Sequence, residues 1–102
     1  MNAGIAERLT LAIDETHRVS ALLQLPPAAT VCFVLAHGAG AGMEHPSMTA
    51  IAAELATRSI ATLRFQFPYM ERRSRRPDPP PVCHATVRAA VAEAARLAPG
   101  WR

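Results

Sequence analysis

Residues 8–13 alternate, with Leu9, Leu11 and Ile13 on one side and Arg8, Thr10 and Ala12 on the other. Residues 19–25 do the same, setting Val19, Ala21, Leu23 and Leu25 against Ser20, Leu22 and Gln24. Between them lies the polar tetrad Asp14, Glu15, Thr16, His17. A period of two belongs to strands, and a short polar link between two such runs predicts a β-hairpin with one better-buried face.

The pattern changes after Pro26-Pro27. Val31 to Ala36 is a continuous apolar run with β-branched residues, which is how a strand reads when both faces are covered in a parallel sheet. A glycine-rich loop follows over 37–46. A helix is then expected from about Pro46 to Arg58, since Pro46 suits a first helical turn and Met48, Ile51, Ala52 and Leu55 recur at helical spacing. Ile60 to Phe67 reads as another short strand. Residues 68–81 hold five prolines and four arginines and read as loop. A second helix is expected from about Val82 to Ala98, with Val87, Ala90, Val91 and Ala94 facing inward, until Pro99-Gly100 stops it. Strands alternating with helices in the order β-β-β-α-β-α predict an α/β fold with parallel strands flanked by helices. With 102 residues and no linker, the expectation is one domain over 1–102.

Composition narrows the functional classes. Half of the residues are apolar, enough for a core and too many for a disordered tail. The formal charge of +3 arises from 11 basic residues, all arginine, against 8 acidic ones. Four of them, Arg72, Arg73, Arg75 and Arg76, form one run without interleaved aromatics, so it reads as a solvated loop or anion site and no nucleic-acid partner is expected. Cys32 and Cys83 have no CxxC partner and give no disulfide framework, and as free thiols they suit a reducing compartment. No signal segment or membrane span is evident, so the expected location is the cytoplasm.

The chemistry centres on Ala36-His37-Gly38-Ala39-Gly40-Ala41-Gly42-Met43, between a buried strand and a helix, where unpaired backbone N–H groups can converge on an anion. A dinucleotide fingerprint fails because its third glycine would fall on Met43 or His45. A phosphate loop of the Walker type fails because the chain has no lysine. The remaining reading is an oxyanion loop, whose amides stabilise the negative oxygen of a tetrahedral acyl-transfer intermediate.

The segments LAHGAGAGMEHPSM (35–48) and LRFQFPYMERRSRRPDPPP (63–81) resemble the α/β-hydrolase superfamily, and most of all its dienelactone-hydrolase-like branch of KANL/Tex-type hydrolases. The resemblance runs over essentially the whole chain and implies the N-terminal half of that fold. It implies a serine-hydrolase mechanism acting on a small acyl or ester substrate. His37 and Gly38 match the family's His-Gly, which makes Ala39, then Gly40, the amide donor of the oxyanion hole. Met43, Gln66, Phe67 and Tyr69 are placed along the cleft, with Gln66 standing where relatives often carry Asn or Asp.

That mechanism also needs a nucleophile elbow of the G-x-S-x-G type, an acid and a His. None is identifiable here: Ser20, Ser47, Ser59 and Ser74 fall in a strand, a helix start, a helix end and a loop. The chain is therefore expected to be non-catalytic alone, acting on an acyl substrate only when completed by a C-terminal half. The alternative is a non-catalytic binding or interaction module. His45, His84 and Cys83 fit no zinc spacing, and no metal or cofactor is expected. Trp101 has no assigned role. An unpaired strand at 31–36 would invite self-association.

Overall fold

In the computed structural model, described over residues 6–37, 42–73, 76 and 78–97, four strands form one sheet in the order β1-β2-β4-β3. The strands are β1 (Ala6–Ala12), β2 (Arg18–Gln24), β3 (Cys32–Ala36) and β4 (Ala61–Phe65). The hairpin forms as its alternation demands. β1 and β2 pair antiparallel, with Leu9 opposite Ala21 and Leu11 opposite Val19, so the apolar residues of both strands share one face. The Asp14 carboxylate closes the turn by accepting from the N–H groups of Thr16 and His17, both at 2.8 Å.

β4 is the hub. It pairs antiparallel with β2 and parallel with β3, the parallel pair being joined through helix α1 (Pro46–Ala56). All five of its residues are buried. Leu63 and Phe65 join Leu11, Val19, Ala21 and Leu23 in the main core, and Ala90 of helix α3 (Pro80–Leu97) closes it. Thr62 and Arg64 point to the other face, toward α1. α1 packs there through Met48, Ala52 and Ala56. Its start is capped by His45, whose Nδ1 accepts from the Ser47 N–H at 3.1 Å, and Pro46 occupies the first turn, where its missing N–H costs nothing.

Five expectations need correction. The stretch 68–81 is not all loop: Pro68–Glu71 forms a one-turn helix, α2, entered from an extended Phe67. α3 begins at Pro80, two residues early, because prolines in a first turn give up no hydrogen bond. Ala90 and Ala94 face the core as expected, but Val87 and Val91 face out at 38% and 51% exposure, and Thr86 is buried. On α1, Ile51 is likewise exposed. Finally, β3 is not covered on both sides. Phe33 on it is 51% exposed, while the strand's place at one edge of the sheet, with β1 at the other, is the one expected of an unpaired strand.

Candidate functional site

The carboxyl ends of β3 and β4 lie side by side, so the segments leaving them share one end of the sheet. His37 is the first residue after β3 and is buried. Its Nε2 accepts the Phe67 N–H at 3.1 Å, which puts the proton of the neutral ring on Nδ1. Phe67 and Tyr69 meet the imidazole edge-on, with centroids at 5.1 and 5.7 Å, and Phe65 meets Phe67 at 5.3 Å. His37 thereby fastens the exit of β3 to the exit of β4.

A second set of bonds organises the same end. The Glu71 carboxylate accepts the Ser20 N–H at 2.9 Å, the Ser20 hydroxyl at 3.0 Å and the Gln66 amide at 2.9 Å. One side chain on α2 thus ties β2 to the residue after β4. Burial opposes ionisation of Glu71, but the hydrogen bonds from Ser20 and Gln66, with the field of Arg8, outweigh it and hold its pKa below the ordinary carboxylate value. Held this way, Gln66 lies over Gly42. A Cβ on Gly42 would meet Gln66 Oε1 at 2.9 Å and Met70 Cγ at 3.5 Å. A side chain at position 42 would have to displace the Gln66 amide.

α2 is anchored in turn by Asp78, whose carboxylate accepts the Tyr69 N–H at 2.9 Å and pairs with Arg72 at 3.2 Å. Arg72, Arg73 and Arg76 are exposed, and Arg75 lies outside the described residues. Both cysteines are free thiols, and their pKa values are raised, by burial for Cys32 and by burial and then Asp78 for Cys83. Neither is activated as a nucleophile.

Of the residues assigned from sequence, His37, Gln66, Phe67 and Tyr69 converge at this end. Gly38, Ala39 and Gly40 lie outside the described residues. Met43 does not line a cleft: it is 1% exposed and packs in the interior, while its carbonyl accepts from Arg64 at 3.3 Å. Tyr69 is also buried, contributing packing rather than surface. Glu71 and Ser20 were missed, since nothing in an exposed Glu of a presumed loop shows that it reaches back 51 positions. Arg64 was missed as well. Its signal was a charge inside the otherwise uncharged run 61–65.

A profile of the alpha/beta hydrolase domain matches residues 29–101. The chain therefore belongs to the α/β-hydrolase family. Among solved structures, it is similar to an alpha-beta serine hydrolase homologue from Coxiella burnetii, with TM-score 0.72 at 15% identity, covering 90% of this chain and 46% of that one. It is also similar to a lidless α/β serine hydrolase from Xanthomonas campestris, with TM-score 0.73 at 19% identity, covering 94% of this chain and 47% of that one. At such identity the likeness is one of fold. The chain spans about half the length of these solved hydrolases. No curated protein matches it. Among the described residues no helix is long and apolar enough to cross a membrane, and no three His, Cys, Asp or Glu side chains cluster as metal ligands would.

Proposed function

We propose that this chain is the oxyanion-loop half of a serine-hydrolase-type α/β hydrolase of the dienelactone-hydrolase-like branch, acting on a small acyl or ester substrate. Residues outside it supply the nucleophile, the acid and the base. The observation that carries this reading is the His37–Phe67 bond. It fixes the start of the glycine loop at the carboxyl end of two parallel strands, where the amides that follow can face a developing oxyanion. In this role His37 is a positioning residue; its accepting nitrogen is already engaged and is no general base. Ala39, then Gly40, carries the donating amide, and Gln66 and Phe67 border the substrate. The two free thiols favour the cytoplasm as the site of action.

A fluorophosphonate probe tests the division of labour, because it labels only an activated serine. The chain alone is expected to stay unlabelled. A product continued past codon 102 in its own reading frame is expected to label on a serine beyond Arg102. Labelling of Ser20, Ser47, Ser59 or Ser74 would refute the assignment.

A second reading, a non-catalytic module that captures another chain by strand addition, is favoured by the open edge of β3 and the exposed Phe33 beside it. Under that reading neither product labels.

A further inference from the structure

On the sheet face opposite the main core, a polar recess of about 390 Å³ opens between the hairpin and α1. The strand register builds its floor. Arg8 lies opposite Leu22, and Leu22 lies opposite Arg64, so two arginines stand on one row, two strands apart and on the same face. That separation is roughly 10 Å at the backbone, which long side chains close easily. Gln24 from the next row and Thr49 from α1 complete the polar lining.

Arg64 is the unusual member. It is only 3% exposed, yet it takes part in no ion pair among the described residues. Its hydrogen bonds go to neutral acceptors: the Met43 carbonyl at 3.3 Å, Thr49 Oγ1 at 3.2 Å and Gln24 Oε1 at 3.2 Å. Its Nε–H has no acceptor at all. Only one other buried side-chain polar atom among the described residues is in that position, and it is Thr62 Oγ1, on the same strand and the same face. Of the two, only Arg64 lines the recess. Burial draws the Arg64 guanidinium below its ordinary pKa, with the charge of Glu44 acting the other way. Glu44 itself spends its carboxylate on Arg8, at 3.2 Å, where both side chains are mostly exposed. Buried charge that is hydrogen-bonded but not neutralised is costly, and proteins ordinarily pair it.

We infer that this recess is a carboxylate-binding site, in which a carboxylate enters between Arg64 and Arg8 and displaces Glu44 from Arg8. The Thr49 hydroxyl, whose oxygen already accepts from Arg64, turns its own proton to the ligand. The charge count selects the class of anion. Arg8 and Arg64 against Glu44 leave one positive charge in the lining, which a monoanion neutralises and a phosphate dianion overshoots. Planar oxygens also match a guanidinium fork. The carboxylate belongs either to a small organic acid or to an acidic side chain of another polypeptide; the chemistry of recognition is the same.

The test is a titration of the full chain with sodium acetate at constant ionic strength, read by the Arg64 Nε–Hε and Thr49 amide resonances. A parallel arm uses a short blocked peptide with one glutamate. Saturable shifts at both resonances are expected. Tighter binding of acetate identifies a small-acid site, tighter binding of the peptide a docking site for acidic side chains, and either supports the proposal. Glu44→Gln, an exposed substitution that leaves the core untouched, removes the internal competitor and is expected to tighten binding at least threefold. Arg8→Gln is expected to weaken it several-fold, and Arg58→Gln, two residues past the end of α1, to change nothing. Shifts that grow linearly without saturating, equal shifts with chloride, or unchanged affinity in Glu44→Gln would each overturn the proposal. Tighter binding of inorganic phosphate than of acetate would overturn the choice of anion.

Discussion

At the level of single residues, the candidate site depends on groups that are polar, buried and fully committed to local bonds. His37→Ala leaves the Phe67 N–H without its acceptor and removes an aromatic contact with both Phe67 and Tyr69. An orphaned part-buried N–H costs about 1–3 kcal/mol and lost ring packing about 1 kcal/mol more. Urea denaturation is expected to show a loss of about 2–4 kcal/mol, large for a small domain. The carboxylates give a pH dependence of definite sign. Asp14, on the hairpin turn, is drawn from 3.8 to about 2, chiefly by the Thr16 N–H and then by the His17 side chain, and Glu71 is also depressed. A depressed carboxylate stabilises the fold above its unfolded pKa, and that contribution disappears as pH falls through the folded value. Melting temperature is therefore expected to drop between about pH 4 and pH 2. Asp14→Asn is expected to lower it near neutrality while flattening part of that acid slope; an unchanged slope would show that the turn carboxylate is not linked to folding.

At the level of elements, regular periodicity was legible and the competition for inward positions was not. The hairpin, β3, α1 and β4 follow from alternation and apolar runs, and the antiparallel register falls where the shared apolar face requires it. α3 shows where that logic stops. A reading by apolarity turns Val87, Ala90, Val91 and Ala94 inward; the chain keeps Ala90 and Ala94 on the core side but leaves Val87 and Val91 exposed and buries Thr86. Thr86 can be buried because its hydroxyl donates to the Val82 carbonyl at 2.8 Å, which satisfies it within the helix. Ala90 sits against the sheet because only a small side chain lets the helix approach Leu63 and Phe65 so closely. α2 was illegible for a related reason: a turn that short is held by Asp78 from outside, not by its own propensity. The His-Gly motif was legible locally, while Glu71, Ser20 and Gln66 are joined by hydrogen bonds, those to Ser20 spanning 51 positions, that no local pattern records. Helix α3 yields a paired expectation. Ala90→Leu overpacks the core and is expected to cost about 1–3 kcal/mol, whereas Val91→Lys stays within about 0.5 kcal/mol. Thermal melts of the two variants check it, and the opposite ranking would show that Val91, not Ala90, faces the sheet.

At the level of the whole molecule, the distribution of cover decides behaviour in solution. β4 is sandwiched between two strands and two helices, but among the described residues β3, like β1 at the other edge, has a neighbouring strand on one side only. The Val31 carbonyl accepts the Ala61 N–H at 2.9 Å. Strand alternation therefore turns the backbone groups of Cys32, Val34 and Ala36 away from β4, presenting a ready template for another strand. Phe33 and Val31 stand exposed along the same edge, and Ile51 is exposed on α1. Backbone donors and apolar surface lying together favour association far more than either alone, because the incoming strand satisfies the first while covering the second. Sedimentation velocity over a concentration series is expected to show association of the chain beyond the monomer. Phe33→Lys removes apolar cover and places charge on the edge, the device by which natural edge strands avoid pairing. It leaves the core cluster intact, so it is expected to shift the population toward monomer at nearly unchanged melting temperature. A wild-type chain that remains monomeric across the series would show that five residues of open strand are too short to recruit a partner. The Phe33→Lys comparison would then lose its meaning, and the interaction-module reading would lose its support.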